Sequence, residues 1–426
     1  MLQLNFIRKN TETVLEGLKK RNFSEEQLLV IQDILSKDDL RRKYQQDLDN
    51  MLAVVNRRSK EVGEFMKQGN AAGAEAAKAE VSALKEQIRV IEPLQKEIET
   101  DLETILLGLP NIPHTSVPWG KTPEENEVWR PWNQPLPDLG AGALPHWELA
   151  KKYGIFDLEL GVKITGAGFP VFRGKGARLQ RALINFFLNE AHKAGYEEIV
   201  PPLMVNEATA RGTGQIPDKE AQMYYVEKDD LYLIPTAELP VTNIFRDVIV
   251  PGADLPVKMT AYTPCFRREA GSYGAHVRGL NRVHQFDKIE IVQITHPENS
   301  YDVLHQMLEH VAGLLDKLGL PYRILKLCGG DMGSASAMTY DFEVYSAAQE
   351  RWLEVSSVSN FETYQTNRMK LRYRDSEGKV QLAHTLNGSA LALARIIAAL
   401  LENYQTSEGI VIPEVLRTFT GFDLLD

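Results

Sequence analysis

The stretch CFRREAGSYGAHVRGLNRVHQFDKIEI, residues 265–291, concentrates charged side chains between two short runs that carry apolar residues. Each run alternates apolar and polar residues, the pattern of a half-buried β-strand. We therefore predict two antiparallel strands joined by a loop over residues 271–282. Side chains two positions apart share one face of a strand. One face of this hairpin would then carry Cys265, Arg267, Glu269, His284, Phe286, Lys288 and Glu290.

This charged face admits two interpretations. It can be an exposed hairpin held by cross-strand ion pairs, each worth about 0.2–1 kcal/mol. It can also be a binding face, on which a planar heterocycle stacks on Phe286 and its phosphate binds Arg267. Val283, Ile289 and Ile291 would point to the opposite face and pack inward. The hairpin alone leaves both interpretations open.

The chain from residue 108 onward indicates a sheet flanked by helices. Strand candidates mostly follow one another directly, which favours antiparallel pairing over βαβ winding and predicts an α+β domain. Long helices are predicted at 176–196, 301–319 and 389–405, and Asn387 or Ser389 would cap the last of them. The strand candidates are 197–205 (with a proline pair), 232–235, 258–268, 282–294, 322–328, 339–347 and 351–358.

Residues 25–107 have a different texture, rich in Ala, Glu, Lys, Leu and Gln. Apolar residues step by four and three alternately, which predicts two long paired helices. The turn residues KQGNAAG, 67–73, separate them, so the helices must lie antiparallel as a coiled-coil arm. We expect a bend at Pro93. The seam positions are Tyr44, Leu48, Met51, Val55, Arg58, Val62 and Phe65, then Ala77, Val81, Leu84, Ile88, Ile91, Gln95, Ile98, Leu102 and Ile105.

The arm also has two interpretations. It can be a dimerisation or spacer coiled coil, or a probe that contacts a distant partner such as RNA. Basic side chains suit phosphate contacts, but acidic residues are interspersed with them, as on most solvated helix faces. The basic positions are Arg41, Arg42, Lys43, Arg57, Arg58 and Lys60.

Composition excludes several classes of protein. The 426 residues carry a net charge of −10, which argues against coating nucleic acid or membrane by bulk charge. Cys265 and Cys328 are the two cysteines, so a disulfide framework or a zinc site is not expected. The N-terminus MLQLNFIRKN lacks a signal-peptide core, and the apolar run at 391–401 is too short to span a membrane. We expect a cytoplasmic protein.

Nucleotide chemistry would have to use side chains on a sheet. GFPVFRGKGARL, 168–179, lacks the spacing and hydroxyl of a phosphate loop. Glu354 and Ser357 end a strand candidate and offer oxygen ligands that suit Mg²⁺, unless they are only a polar strand end. Arg395 lies in an apolar helix, where it needs an anion unless it snorkels to solvent.

Several segments resemble the signature motifs of class II aminoacyl-tRNA synthetases. They are EEIVPP (197–202) for motif 1, FRREAG, VRGL and HQFDKIE (266–271, 277–280 and 284–290) for motif 2, and LNGSALALAR (386–395) for motif 3. TAE (236–238), EVSSVSN (354–360) and the helical arm extend the resemblance over the whole chain, to bacterial-type seryl-tRNA synthetases.

This resemblance implies a class II antiparallel sheet and a serine–tRNA ligase. Serine would attack the α-phosphate of ATP, giving seryl-adenylate and pyrophosphate, and the seryl group would then pass to the 3′ end of tRNA(Ser). Mg²⁺ would accompany ATP, and no zinc is expected. The sequence leaves tRNA(Sec) open as a second substrate.

The resemblance also implies roles for individual residues. Arg267 would hold the α-phosphate and the serine carboxylate, and Glu269 the adenine amino group. Phe286 and Arg395 would sandwich the adenine, and Glu290 would accept the serine hydroxyl. The implied catalytic residues are Arg267, Glu269 and Arg395. The implied ATP site comprises Arg267, Arg268, Glu269, Val283, Phe286, Glu354, Val355, Ser356, Ser357 and Arg395, with Glu354 and Ser357 on Mg²⁺. The implied serine site comprises Thr236, Ala237, Glu238, Arg267, Glu290 and Ser389.

By the same resemblance, residues 1–107 form a tRNA-binding domain whose arm spans about 27–105, and residues 108–426 form the catalytic domain. Family arms contact the long variable arm and elbow of tRNA. Family members are homodimers, joined through motif 1, in which one subunit's arm serves the other subunit's site. No membrane partner is implied.

The motif 2 loop departs from the family pattern at Arg268, Tyr273 and His276. Two alternatives deserve comparison. A paralogue that loads a carrier protein would lack a full arm. A non-enzymatic RNA-binding protein with an inactive body would have lost Arg267, Glu269, Glu354 or Arg395, and all four are present.

Overall fold

The computed structural model describes residues 1–140, 142–218, 221–269 and 278–426. The chain divides into two compact units. One comprises Leu2–Lys19 and Phe23–Leu109, and the other comprises Met1, Lys20–Asn22 and Pro110–Asp426.

The first unit is built from four helices, α1 Leu4–Lys9, α2 Thr11–Lys20, α3 Glu25–Lys67 and α4 Ala71–Gly108. Helices α3 and α4 are antiparallel, since Lys37 pairs with Asp101 at 3.2 Å and Gln45 accepts a hydrogen bond from Gln95 at 2.6 Å. This confirms the predicted helical arm. Helix α4 continues through Pro93 without a break.

Sequence at the helix ends explains where the arm begins and turns. The Ser24 hydroxyl accepts from the Gln27 N–H at 3.2 Å, and the Gln27 side chain accepts from the Ser24 N–H at 2.8 Å. This capping box satisfies two N–H groups that have no partner within α3. After the turn, the Asn70 side chain accepts from the Gly73 N–H at 3.0 Å and caps α4.

Predicted seam residues form the core of the arm. Leu48, Val55 and Ile88 are buried, and Met51, Val81, Leu84 and Ile91 pack against them. Each fully buried aliphatic side chain contributes about 1.5–3 kcal/mol. The helices are therefore held together by their seam, as the spacing predicts.

Ion pairs within the arm already occupy part of its basic surface. Asp38 is 1% exposed and receives Arg8 and Arg41 at 2.8 Å and Arg42 at 2.9 Å. Burial alone would raise the pKa of Asp38, but hydrogen bonds from Arg41 and Arg8 lower it below its ordinary value. Arg58 pairs with Glu61 and Glu80.

The second unit combines helices with β-strands. Its helices are α5 His146–Tyr153, α6 Leu158–Ile164, α7 Gly174–Lys193, α8 Glu207–Thr213, α9 Glu238–Asn243, α10 Ser300–Leu318, α11 Tyr364–Met369, α12 Leu393–Asn403 and α13 Glu414–Thr420. Its strands are β1 Glu127–Arg130, β2 Phe156–Asp157, β3 Val171–Phe172, β4 Glu197–Glu198, β5 Met204–Val205, β6 Tyr225–Val226, β7 Leu231–Leu233, β8 Ile249–Pro251, β9 Val257–Phe266, β10 Gln285–Thr295, β11 Tyr322–Lys326, β12 Met338–Ser346, β13 Arg351–Glu362, β14 Arg372–Arg374, β15 Val380–Leu382, β16 His384–Ala392, β17 Ile410–Val411 and β18 Leu424–Leu425.

One large sheet organises this unit. Its strand order is β1-β11-β12-β13-β16-β10-β9-β4. Neighbouring strands are antiparallel except for β4 and β9, which are parallel. The predicted α+β class with an antiparallel sheet is confirmed.

Helices α7, α10 and α12 pack on the sheet and form the main core. Leu183, Leu308 and Ile397, one from each helix, are buried together with Ile291 and Phe342 of the strands. Within the described ranges, no helix is both long and apolar enough to cross a lipid bilayer.

Two predictions about local structure were wrong. The last helix begins at Leu393, and neither Asn387 nor Ser389 caps it, because residues 384–392 form the central strand β16. Alternating Ala and Leu fit a buried strand or a helix equally well, and pairing of β16 with both β10 and β13 decides for the strand. Segment 197–205 is not one strand. It contains β4 and β5, separated by a proline pair that has no N–H to donate to a ladder.

Candidate active site

The predicted hairpin brings Arg267 and Phe286 together. Strand β9 ends at Phe266, so the predicted strand 258–268 is two residues too long. The Arg267 N–H still donates to the His284 carbonyl at 2.9 Å, which keeps it beside the return strand. Its guanidinium lies 5.3 Å from the centroid of the Phe286 ring, within cation–π range. A cation and an aromatic face are therefore available side by side.

Chain reversal begins directly after Arg267. Glu269, three residues beyond the end of β9, has a φ of +49°, in the left-handed region, and its carboxylate accepts from Arg282 at 2.7 Å. Arg268 is exposed, and its N–H donates to the Gln222 carbonyl at 2.9 Å. Val283, by contrast, is buried. Tyr273 and His276 lie outside the described residues.

Arg395 is held over the sheet by backbone carbonyls. Its Nε donates to the Asn281 carbonyl at 2.9 Å, and its Nη1 donates to the Glu354 carbonyl at 2.6 Å. The Glu354 carboxylate lies 3.5 Å from the same guanidinium. Arg395 is thus half-buried and directed towards the strand that carries Glu354, not extended into solvent.

Oxygen ligands gather on β13 beside Arg395. Ser357 donates to the Glu354 carboxylate at 3.4 Å, and that carboxylate is half exposed. Asp341, on the neighbouring strand, was not singled out from the sequence. One of its carboxylate oxygens is buried without a hydrogen-bond partner. Burial and the charge of Glu354 raise the pKa of Asp341 well above its ordinary value.

The oxygens of Glu354 and Ser357 suit a cation that takes its remaining ligands from a bound substrate. A carboxylate and a hydroxyl are the donors that Mg²⁺ takes alongside substrate phosphates. Among the described residues, no three His, Cys, Asp or Glu side chains are grouped closely enough to hold a metal ion by themselves. Val355 is buried between the two ligand candidates, and Ser356 donates to the Ser389 carbonyl at 2.6 Å, which ties β13 to β16.

A second, more enclosed group of polar side chains lies where β10, β16 and the start of α9 meet. The Thr236 hydroxyl donates to the Glu290 carboxylate at 2.9 Å and accepts from the Lys288 ammonium at 2.8 Å. Lys288 also forms an ion pair with Glu290. Thr236, Lys288 and Glu290 are each at most 5% exposed. A buried cation, carboxylate and hydroxyl therefore satisfy one another.

Glu238 completes this enclosed pocket. Its carboxylate accepts from Gln365 at 2.6 Å and from Asn387 at 2.8 Å, and the same Asn387 nitrogen reaches Glu290 at 3.2 Å. Burial, and then the charge of Glu290, raise the pKa of Glu238 to about 7. Ala237 is buried beside it, and Ser389 pairs with Glu290 across the β10–β16 ladder.

Sequence reasoning missed several members of this pocket. Lys288 was placed on the charged face without a function, Asn387 was interpreted as a helix cap, and Gln365 was not considered. A signal existed for Lys288 alone, because a lysine between Ile289 and the aromatic Phe286 in a strand is unusual unless an acid pairs with it.

Sequence families match both units. Residues 224–404 match the model of the tRNA synthetase class II core domain (G, H, P, S and T), so this region has the core of a class II aminoacyl-tRNA synthetase. Residues 1–113 match the seryl-tRNA synthetase N-terminal domain.

Similar proteins narrow the class. A serine–tRNA ligase of Salinibacter ruber is 49% identical over 99% of this chain and 98% of the relative, and one of Chlorobium phaeobacteroides strain BS1 is 46% identical over the full length of both. The seryl-tRNA synthetase of Pyrococcus horikoshii, complexed with ATP, superposes with a TM-score of 0.93 at 32% identity, covering 100% of this chain and 99% of that one.

The chain belongs to the seryl-tRNA synthetase family. It is therefore a class II ligase that charges tRNA with serine, and the resemblance seen in the sequence motifs is confirmed.

Proposed function

We propose that this chain activates L-serine with ATP on the β9–β10–β16–β13 face and then transfers the seryl group from the adenylate to the 3′ end of tRNA(Ser), with AMP as the leaving group. One observation carries the proposal. Thr236, Glu238 and Glu290 are buried pocket residues, and Glu290 lies on β10, the strand that also carries Phe286 of the Arg267–Phe286 pair. An amino acid in that pocket would therefore meet a nucleotide held over Phe286.

In the first step, the serine carboxylate attacks the α-phosphorus of ATP, and the bond to the pyrophosphate oxygen breaks. Arg267 neutralises the α-phosphate and holds the attacking carboxylate. Such transfer needs positioning and charge stabilisation, not a covalent nucleophile. Arg395 supports the γ-phosphate from the opposite side. The P. horikoshii relative complexed with ATP supports a nucleotide site on this fold.

The adenine ring lies between Phe286 and Arg395, and the Val283 backbone contacts its edge. Glu269 accepts from the adenine amino group, so its contact with Arg282 has to be shared or released when ATP binds. Arg268, Val355 and Ser356 complete the nucleotide site. Glu354 and Ser357 would hold Mg²⁺, which neutralises phosphate charge when it is bound.

Serine lies between Thr236, Ala237, Glu238, Ser389 and Glu290. Glu290 accepts the serine hydroxyl, and Glu238 pairs with the ammonium group. Alanine lacks the hydroxyl and cannot make this hydrogen bond to a buried carboxylate, so a pocket of this kind selects serine over alanine.

Residues 1–107 act as the tRNA-binding domain, and residues 108–426 as the aminoacylation domain. The arm contacts tRNA through basic side chains that keep solvent exposure, such as Arg42 and Arg57, at 50% and 65%. We further propose a homodimer formed through motif 1, since Val200 is 88% exposed and Met204 46%, and such apolar exposure suits an interface. We place the protein in the cytoplasm. tRNA(Sec) is a second substrate to be assayed.

Serine charging of tRNA tests the proposal. An arm-shortened variant removes residues 46–94 and joins Gln45 to Gln95, whose side chains are already hydrogen-bonded, with a short Gly–Ser linker. The full chain should charge tRNA(Ser) with serine. The shortened variant should keep serine-dependent ATP–pyrophosphate exchange and lose charging. Full charging by the variant would refute the role of the arm, and a full chain without charging would refute the function.

A further inference from the structure

His146 and Glu402 form a hydrogen-bonded pair outside the site described so far. Both side chains are 0% exposed, and Nδ1 of His146 lies 2.6 Å from a Glu402 oxygen. That oxygen also accepts from the His146 backbone N–H and from Gln349, both at 2.9 Å. Ser346 donates to the other oxygen. Burial alone would raise the pKa of Glu402, but the hydrogen bonds from His146 and Ser346 lower it.

Hydrogen bonding fixes the protonation of the imidazole. The backbone N–H of Leu280 donates to Nε2 of His146 at 2.8 Å, so Nε2 must be an unprotonated acceptor. The ring proton is therefore on Nδ1, facing Glu402, and the imidazole is neutral. Gly279 permits this close approach, since its φ is +70° and a Cβ there would lie 2.2 Å from Nε2.

Contacts continue from His146 to the nucleotide site. The carbonyl of Asn281, next to Leu280, accepts a hydrogen bond from Nε of Arg395 at 2.9 Å. The Asn281 side chain donates to Gln349 at 3.0 Å, and Gln349 in turn donates to Glu402. Two hydrogen-bond paths start at Glu402, one through His146 and one through Gln349, and together they hold the Leu280–Asn281 segment.

Helix α12 carries both ends of this network, Arg395 and Glu402. Arg395 and Glu402 are seven residues apart, which is about two helical turns, so they lie on one side of α12. Helix α12 therefore carries both Arg395 and Glu402, and Glu402 fixes the Asn281 carbonyl that accepts from Arg395. By contrast, no hydrogen bond among the residues that the structure describes joins Thr236, Glu238 or Glu290 of the serine pocket to this network.

We propose that His146, held by Glu402, is a positioning residue for ATP binding: it fixes the Leu280–Asn281 backbone, whose carbonyl aims Arg395 at the nucleotide. The inference rests on the role proposed for Arg395. It predicts an effect on ATP and little effect on serine, because the network contacts the guanidinium and not the serine pocket.

A matched pair of variants separates the hydrogen bond from packing. His146→Leu keeps volume and loses the acceptor, whereas His146→Gln can present an amide oxygen to the Leu280 N–H. Calorimetric titration with ATP, without serine, should show about tenfold weaker binding for His146→Leu, as expected for one buried hydrogen bond. His146→Gln should recover most of that loss. The KM for serine should stay within about twofold in both variants. Equal losses for ATP and serine would reduce His146 to a structural role and overturn the inference.

A double-mutant cycle tests whether His146 acts through Arg395. In an Arg395→Ala background, His146→Leu should change the ATP dissociation constant less than about twofold, because the group it positions is gone. Additive losses would overturn the inference while leaving the proposed function intact. If Arg395→Ala alone leaves ATP binding unchanged, the role proposed for Arg395 fails first. If His146→Leu does not fold, Gln349→Leu takes its place in the double-mutant cycle, because it interrupts the hydrogen-bond path from Glu402 through Gln349 to Asn281. The same outcomes then support or overturn the inference.

Discussion

The carboxylates of Glu238 and Glu290 are bridged by one amide nitrogen, Nδ2 of Asn387, at 2.8 and 3.2 Å. Both carboxylates are buried, and Lys288 neutralises the Glu290 side of the pair. Two buried like charges this close favour a proton on one of them. The effect falls on Glu238, since burial and the charge of Glu290 raise the pKa of Glu238 to about 7.

This pair predicts a pH dependence for serine use. Glu238 is protonated below about pH 7 and ionised above it, and only the ionised form pairs with the serine ammonium. The kcat/KM for serine should therefore rise about tenfold from pH 6 to pH 8, since the ionised fraction rises by that factor. Glu238→Gln should have a lower and flatter profile. A wild-type profile that falls with pH in this window would contradict the assignment. The KM for ATP serves as the internal control.

Removing the charge from the hydroxyl acceptor should relax selectivity for serine. Glu290→Gln keeps the shape of the side chain but loses its charge and its pairing with Lys288. We expect its kcat/KM for serine to fall about 10²-fold and that for alanine to change little. Pyrophosphate exchange with each amino acid measures this ratio. Glu309→Gln, which removes a carboxylate from the exposed Arg130 pair, is the matched control. An unchanged serine-to-alanine ratio would exclude Glu290 as the acceptor.

Arg267 should dominate the activation step. Arg267→Ala removes the cation beside Phe286, and we expect serine-dependent exchange to fall by about 10²–10³ or more. Arg267→Lys should recover only part of it, because an ammonium cannot make two parallel hydrogen bonds. Arg374→Ala, an exposed arginine on β14, is the control. Near-normal exchange by Arg267→Ala would contradict the proposed mechanism.

We expect position 168 to require glycine for two reasons: its positive φ and the close approach of the His284 side chain. Its φ is +80°, and a Cβ there would lie 2.3 Å from the His284 ring, which stacks on Phe169. Gly378 has nearly the same φ, +83°, with open space around it. Gly378→Ala therefore isolates the backbone cost. We expect Gly168→Ala to be about 1–3 kcal/mol less stable than Gly378→Ala in urea unfolding. Equal stability would show that His284 moves aside freely.

The sequence predicted the arm and most sheet strands because their periodicities are long and unmixed. Strand β16 escaped prediction, since the Ala and Leu around Ser389 fit either period and only pairing with β10 and β13 decides. The motif residues were identifiable by resemblance. Residues that act through others, such as His146 and Asn387, were not, because their roles depend on partners 97 to 256 positions away.

Amino-acid-dependent ATP–pyrophosphate exchange across a panel of amino acids tests the proposed function most directly. The pocket of Thr236, Glu238 and Glu290 predicts rapid exchange with serine and exchange at least about 10²-fold slower with alanine. Threonine should also react slowly, because its extra methyl group has to fit between buried side chains. Exchange with alanine or threonine as fast as with serine would contradict the assignment of this pocket.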